Sequence, residues 1–361
     1  MADLLIVGTG LVGTSVGLAV HGRRDVVLTD TSPQHVALAQ ERGAGRAWDG
    51  REQAAMVLLA VPPRAISTEF ERLQPLGISQ MWSHCASTQS RVQREVEGLN
   101  LSVSRLCGGH PMAGSERSGP AAASARLFQG RPWVVCPGAG TDGDVVDAVA
   151  ELARDCGATP LVLTPAEHDR AVALVSHLPQ LASSALAARL TGAAGAVQAT
   201  AGPGLRDTTR IAGSPPDLWG QVLADNAAEV APLAAALAAD LQTVAAALSG
   251  YAADPEGARL DAVLDLLRRG NAGRALVPVK RGEHAGDLHD ADVLPVTVSL
   301  PDRPGQLAGL LGTAAAAEVN VEDVRVEHLS GRPRGLVELW VVPADRDRLR
   351  AALRPQWELV D

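Results

Sequence analysis

The residues able to do chemistry in this chain of 361 residues gather in a few short runs. Gly8-Thr9-Gly10-Leu11-Val12-Gly13 follows an apolar stretch, Leu4–Val7, and opens a segment of helix formers. In a strand–turn–helix setting each glycine has a reason: Gly8 permits the tight turn, Gly10 lets the backbone approach a pyrophosphate, and Gly13 lets the helix pack on the strand. The helix start at Leu11 and Val12 then offers amide donors and a positive dipole end to phosphates. Asp30 closes the next apolar stretch, where a carboxylate can accept from the adenine ribose hydroxyls and would repel a ribose phosphate. The cofactor expected from this pattern is NAD rather than NADP.

A second run, Gly108-Gly109-His110-Pro111-Met112-Ala113-Gly114-Ser115-Glu116-Arg117-Ser118-Gly119, comes directly after an expected strand, Leu106–Gly109. His110 is thereby expected at the carboxyl edge of a sheet, where doubly wound proteins bind ligands. A neutral imidazole at that edge can take a proton from an alcohol. Arg206 and Arg210 are one helical turn apart, and their planar forks suit carboxylates. His177 lies in Ser176-His177-Leu178-Pro179, within an Ala/Leu-rich helix. Ser87 lies in Ser83-His84-Cys85-Ala86-Ser87-Thr88-Gln89, where a serine also suits the start of the next helix.

Taken together, these runs resemble the prephenate/arogenate dehydrogenase family. The run from Gly108 is similar to its G-x-H-P-M-A-G-S-E-x-S-G signature. His168-Asp169 with Ser176–Pro179 resembles its H-D and S-H-L-P stretch, and Gly204-Leu205-Arg206-Asp207-Thr208-Thr209-Arg210-Ile211-Ala212 its G-F-R-D-x-T-R-I-A stretch, with Trp219 following. The resemblance implies oxidative decarboxylation of prephenate to 4-hydroxyphenylpyruvate in tyrosine biosynthesis, with hydride passing to NAD. It makes His110 the catalytic base and places Ser87 near the substrate hydroxyl. His177 and Arg210 become substrate-binding residues, with Arg206 one turn before. The chain departs from the family at His84, Ala86 and Gln89, where relatives show D-x-G-S-x-K, and at Gln180, where many carry histidine. Arogenate, with an amino group on the side arm, is the alternative substrate. A non-catalytic NAD-binding amino-acid sensor is a further alternative, and the joint presence of His110, Ser87 and Arg210 argues against it.

These residues need an α/β architecture to hold them. Short apolar runs alternate with helical patterns up to residue 164, as in a Rossmann-like, doubly wound domain with a parallel sheet. The expected strands are Leu4–Val7, Val26–Asp30, Met56–Val61, Ile78–Ser83, Leu106–Gly109, Trp133–Pro137 and Leu161–Leu163. Residues 165–282 read as an all-helical dimerisation domain with helices over His168–Leu190, Asp217–Leu248 and Pro255–Arg269. The stretch Ala231–Leu241 is apolar around most of its circumference and must be covered on several sides, as an interdigitated homodimer would do. A polar linker over 283–294 leads to residues 295–361, whose β-α-β-β-α-β pattern is that of a ferredoxin-like sandwich. Its Asp302-Arg303-Pro304-Gly305-Gln306-Leu307 resembles the D-x-P-G-x-L loop of ACT domains, and Glu318-Val319-Asn320-Val321 their next turn. That resemblance implies an amino-acid effector, tyrosine, held near Asp302, Gly305 and Asn320.

The net charge of −9, without any Lys/Arg run, argues against a nucleic-acid partner. Lys280 is the only lysine, so nearly all cations are arginines. Cys85, Cys107, Cys136 and Cys156 form no C-x-x-C pair and read as buried thiols of a reducing compartment rather than metal ligands. No basic, cleavable leader is evident, and no stretch reaches the roughly 18 uninterrupted apolar residues of a membrane span. A cytoplasmic protein with no membrane partner is expected.

Overall fold

The computed structural model describes residues 1–114, 117–193, 195–257, 259–277, 293–328 and 334–360. Ser115 and Glu116 of the His110 run, most of the expected linker and most of the expected turn near Ser330 lie outside the described residues. The chain packs as two units, Met1–Ala238 and Ala239–Asp361.

The first unit is built on strands β1 (Ala2–Val7), β2 (Val26–Thr29), β3 (Arg46–Ala47), β4 (Ala54–Leu59), β5 (Trp82–His84), β6 (Leu106–Pro111), β7 (Pro132–Pro137) and β8 (Thr159–Val162). They form one sheet in the order β3-β2-β1-β4-β5-β6-β7-β8. Helices α1 (Leu11–Ala19), α2 (Pro33–Glu41), α3 (Ile66–Leu73), α4 (Ser90–Glu97) and α5 (Gly143–Asp155) connect the strands. The chain reverses direction across the sheet between β1 and β4, which opens a crevice at their carboxyl ends. Alternation along β1 explains why both faces are covered. Leu4 and Ile6 join a core with Val16, Leu28 and Trp133, whereas Leu5 and Val7 join another with Phe70 and Trp82.

The sheet is not wholly parallel, as the sequence led us to expect. β7 runs antiparallel to β6, with His110 opposite Val134. Among the described residues of 112–131 there is a short 3-10 turn, Pro120–Ala122, and no crossover helix, so the chain returns directly beside the strand it left. The short β3 went unread because two residues carry no period. The fifth strand is shorter than expected because Ser79 Oγ bonds Ala55 O and Met81 O, turning the chain before Trp82.

The rest of the first unit is helical: α6 (Pro165–Val172), α7 (Leu178–Ala188), α8 (Gly195–Ala199), α9 (Pro203–Thr209) and α10 (Pro216–Asp225). The expected helix over His168–Leu190 is in fact two, joined by a π turn at Ala173–His177 with Pro179 just inside α7. The expected helix from Asp217 is likewise divided, at Asn226, into α10 and α11 (Ala227–Ala253). α11 continues through the boundary between the units, and Val230 is its one buried residue. None of the stretch Ala231–Leu241 is therefore buried, and its residues are half-buried or exposed. By length and mean hydropathy, Pro165–Ala188 and Ala227–Ala253 are both apolar enough to cross a membrane. This differs from the sequence reading because alanine raises the mean without giving an uninterrupted apolar run.

In the second unit α12 (Asp261–Ala275) begins later than expected, since Asp254–Gly257 forms a turn in which Gly257 N donates to Asp254 Oδ1. Arg269 ties it to α11 through Asp240 at 2.8 Å. The remainder runs β9 (Leu294–Pro301), α13 (Gln306–Ala316), β10 (Asp323–His328), β11 (Arg334–Val341), α14 (Pro343–Leu353) and β12 (Glu358–Val360). These strands form an antiparallel sheet in the order β10-β11-β9-β12. Val296, Val298, Val337 and Leu339 face Leu310, Leu349 and Leu353 of the two helices.

The glycine loop makes the tightest approach in the first unit. A Cβ on Gly13 would stand 1.9 Å from Gly8 O, and one on Gly8, whose φ is +99°, 2.6 Å from Ala60 O. Gly13→Ala is expected to lower stability by about 1–3 kcal/mol, as overpacking of a closed contact does, and to abolish dinucleotide binding. Thermal melting with a titration of NAD checks both; an unchanged melting temperature would show that the loop has room to relax.

Candidate active site

The loops after β1, β2, β4, β5 and β6 emerge on one edge of the sheet, because these strands are parallel. At the β1–β4 end they enclose a cavity of about 310 Å³ lined by Val7, Gly8, Gly10, Asp30, Ala60 and Val61 among others. Around Gly10 there is open space where a Cβ would stand, and α1 starts there without a side-chain cap. The amides of its first turn, at Leu11 and Val12, are thus available to an anion. Asp30 is fixed by four donors: Thr9 N at 2.6 Å, Thr9 Oγ1 at 3.1 Å, Ser32 N at 2.8 Å and, more weakly, Thr31 Oγ1 at 3.4 Å. Burial pushes its carboxyl up, but the bonds from Ser32 and Thr9 outweigh this and hold it below its ordinary value. The group is an anion, as an acceptor for ribose hydroxyls must be. Arg72, which also lines the cavity, is already tied to Glu69 at 2.6 Å. These residues fit a dinucleotide.

Further along the same edge, β6 carries His110 beyond two glycines that the packing demands. A Cβ on Gly109 would meet Trp133 Nε1 at 2.8 Å and His84 O at 3.0 Å, and one on Gly108 would meet Cys136 O at 3.1 Å. His110 Nδ1 lies 2.8 Å from His168 Nε2, and His168 Nδ1 lies 2.8 Å from Asp169 Oδ1. His168 is fully buried, whereas His110 is only half-buried. The position of His168 follows from the local sequence. Thr164 and Glu167 form a capping box with Pro165 at the first helical position, so α6 starts at one defined residue.

Asp169 holds three elements together. Its Oδ1 accepts from Gln89 N and its Oδ2 from Ser90 N, both at 2.8 Å, which caps α4 from a distant part of the chain. Its backbone carbonyl accepts from Asn226 Nδ2 at 2.8 Å, and the same nitrogen lies 3.2 Å from His177 Nδ1. Burial pushes the Asp169 carboxyl up, but His168, Gln89 and Ser90 together outweigh it and keep the group below the usual carboxylate range. His177 is buried, stands edge-on to Trp219 with ring centres 6.0 Å apart, and is pushed down to about 4 by burial. The π turn explains how His168 and His177 share a neighbourhood. Nine residues of unbroken α-helix would put them about 180° apart, and the extra residue of the wider turn takes back about 100°.

Ser87 is half-buried in the turn from β5 to α4. Gln89 Nε2 fastens this turn to Ala86 O at 2.7 Å and to Gly109 O at 3.1 Å, beside His110. His84 Nδ1 accepts from Ala86 N, and burial drives this ring down to about 3, so it serves as a neutral acceptor. The unusual His84 and Gln89 therefore support the turn through uncharged hydrogen bonds. Gln180 is buried and reaches Ser184 Oγ at 3.3 Å. Arg206, on α9, and Arg210, in the 3-10 turn after it, are exposed and join no ion pair among the described residues. The structure does not bring either guanidinium onto the histidine cluster. In the second unit Gly305 has φ +84° at the start of α13, and Asn320 Nδ2 donates to Glu322 Oε1 at 2.5 Å. Asp302 and Asn320 are exposed.

Two family models match in succession: "Prephenate dehydrogenase, nucleotide-binding domain" over residues 17–162 and "Prephenate dehydrogenase, dimerization domain" over residues 164–264. Over nearly its whole length the chain is also 34% identical to a probable prephenate dehydrogenase, NovF, of Streptomyces niveus, covering 98% of each. This chain belongs to the prephenate dehydrogenase family. The family's member from Bacillus subtilis is 25% identical, with 96% of this chain and 94% of the relative aligned. Among solved structures, Synechocystis arogenate dehydrogenase is 26% identical with a TM-score of 0.62, over 75% of this chain and 98% of the other. The prephenate dehydrogenase of A. aeolicus, solved with hydroxyphenyl propionate and NAD+, shares the fold at a TM-score of 0.64 and 23% identity, over 76% and 98% of the two chains.

Sequence reasoning quoted His168-Asp169 only as part of a family stretch and gave neither residue a task. It missed Asn226, which no motif or period marks, since its importance comes from the break between two helices. A cheap signal existed for Asp169: an acid beside histidine one turn into a capped helix. Asp169→Ala is expected to cost about 3 kcal/mol near neutral pH, as removal of one partner from a buried charge network does. Because the folded carboxyl lies below its unfolded value of about 3.9, that contribution is complete above this value and lost only as pH falls through the lower folded one. Denaturant melts of both proteins between pH 3 and 8 test this; a difference that faded already between pH 7 and 5 would contradict it.

Proposed function

We propose that this chain catalyses NAD-dependent oxidative decarboxylation of prephenate to 4-hydroxyphenylpyruvate, with His110 as the base. The observation that carries the reading is the His110–His168–Asp169 chain, on the same sheet edge as the glycine-rich dinucleotide loop. Bound NAD, held by Gly8, Gly10, Leu11, Val12, Gly13 and Asp30, supplies the hydride acceptor. Prephenate carries its hydroxyl and its ring carboxylate on opposite carbons. His110 takes the hydroxyl proton as the carbon gives up its hydride, and the bond to the carboxylate then breaks with loss of carbon dioxide. That electron pair enters the ring, which becomes aromatic, and the resulting phenolate oxygen recovers the proton from His110. Ser87 stands near the hydroxyl, and His177, Arg206 and Arg210 hold the carboxylates. The exposure of both arginines, uncommitted to any ion pair among the described residues, supports this use.

The exposed apolar length of α11 and the dimerization-domain match support a homodimer in which the second copy covers that helix. The alternating β-α-β-β-α-β order at the carboxyl end, with strands in the order fourth-first-third-second, supports a ferredoxin-like domain of the ACT type. Feedback inhibition by tyrosine near Asp302, Gly305 and Asn320 is the regulation it suggests. We place the enzyme in the cytoplasm, where its cysteines stay reduced.

Formation of NADH from prephenate and from arogenate, followed by absorbance, tests the activity; protein that binds NAD yet turns over neither would be a sensor. His110→Asn is expected to lower turnover by roughly 100-fold or more with NAD binding intact. Burial, reinforced by His168, pushes the His110 imidazole below its ordinary value of 6.5. A base must be neutral to act, so kcat/KM should stay level as pH falls through 6.5 and decline only below it. An acid limb centred at 6.5 or higher would be the contrary result. Tyrosine should inhibit the full chain, with at least a tenfold weaker effect in Asp302→Ala and Asn320→Ala; equal inhibition of all three would remove the effector from this loop.

A further inference from the structure

We propose that Asp169, through His168 on one side and Asn226 on the other, fixes opposite tautomers on the two histidines of the site. His110 is left with a bare Nε2, and His177 with a protonated one. The inference rests on the reading of His110 as base and names what makes it one.

The hydrogen-bond sequence leaves no other arrangement of neutral rings. The Asp169 carboxylate only accepts, and it already takes Gln89 N–H and Ser90 N–H. The imidazole nitrogen at 2.8 Å from it must therefore carry a proton, so a neutral His168 is protonated on Nδ1 and bare on Nε2. A bare Nε2 facing His110 Nδ1 at 2.8 Å requires the proton on that nitrogen of His110. His110 is then bare at Nε2. His168 has no exposed surface, so water does not compete with His110 for its Nε2.

The other arm starts from the same residue. The Asp169 carbonyl can only accept, so the Asn226 atom 2.8 Å away is the NH2 group, which settles the amide's orientation. That nitrogen's second hydrogen points to His177 Nδ1 at 3.2 Å, which accepts and must be bare. The His177 proton is consequently on Nε2. One ring offers a lone pair for a hydroxyl proton, and the other offers an N–H to an anionic oxygen. A substrate with an alcohol and carboxylates needs both, and two identical tautomers would supply only one. Asp169 and His168 are positioning residues in this scheme, as is Asn226.

The test is a two-bond 15N–1H correlation spectrum of the full-length protein labelled at histidine nitrogens, at neutral pH with and without NAD. His110→Asn and His177→Asn identify the two spin systems by their loss. The expected result is Nδ1–H on His110 and Nε2–H on His177. The opposite tautomer on either ring overturns the proposal, and this reading needs no positioning variant to fold. Kinetics then separate the arms. His168→Leu removes the acceptor and should lower kcat 10- to 100-fold with KM within threefold, while His168→Gln, whose Oε1 can accept from His110, should restore most of the loss. Asn226→Leu should raise KM for prephenate about tenfold with kcat within threefold. Leu and Gln variants at position 168 that are equally impaired, or a loss of kcat and KM alike in both arms, would reduce these residues to packing. Should His110→Asn remain active while the spectra match, the base assignment fails and the tautomer assignment stands.

Discussion

The histidine cluster of the first unit depends on a single buried carboxylate. Asp169 is removed from water, which is unfavourable for an anion unless donors replace its hydration. Here two amides at the start of α4 and one imidazole do so. The amides lie at the positive end of a helix, which favours a negative charge. The helical part of the chain is thus fastened to the sheet at the point where His110 and the Ser87 turn emerge. The same contact that closes the fold also orders the site. One group thus contributes both to stability and to the geometry of the histidine cluster, so little freedom is left to vary it.

The unusual residues of the turn after β5 fit this picture. A buried ion pair gives orientation at a high desolvation cost, and uncharged groups can give the same orientation without it. His84 and Gln89 do so by accepting from Ala86 N and by donating to Ala86 O and Gly109 O. With Asp169 already supplying one buried charge, the site keeps its net charge low enough for a neutral imidazole to persist nearby. Burial acts in the same direction on His84, His110 and His177, disfavouring the cation on each.

Much of this was legible in the sequence, and the reasons differ by element. The dinucleotide loop could be read because its glycines answer to steric demands that no other residue meets, and the structure shows those demands at Gly8 and Gly13. The place of His110 could be read near the carboxyl end of a strand, although β6 runs on through it to Pro111. The reversal of β7 could not, because strand direction is decided by what joins two strands, and a connection with no helix among its described residues leaves no periodic trace. The divided helices escaped for a related reason: alanine and leucine satisfy a helical pattern in any register, so nothing marks where it slips. Asn226 became visible only when the break placed its amide between Asp169 O and His177. The burial expected for Ala231–Leu241 was a statement about water rather than about one chain, and a single copy leaves that stretch half-buried or exposed.

The wider turn at Ala173–His177 carries a consequence for how this protein can change over time. Leu174 and Val175 stand largely in solvent, with 56% and 64% of their surface exposed, so their identities are loosely held. The number of residues there is another matter. Deleting one would tighten the turn into ordinary α-helix and swing His177 by about 100°, away from Asn226 and Trp219. Point changes at Leu174 and Val175 are cheap and changes of length are not, so lineages descended from such a chain should drift freely at these two positions while preserving the count.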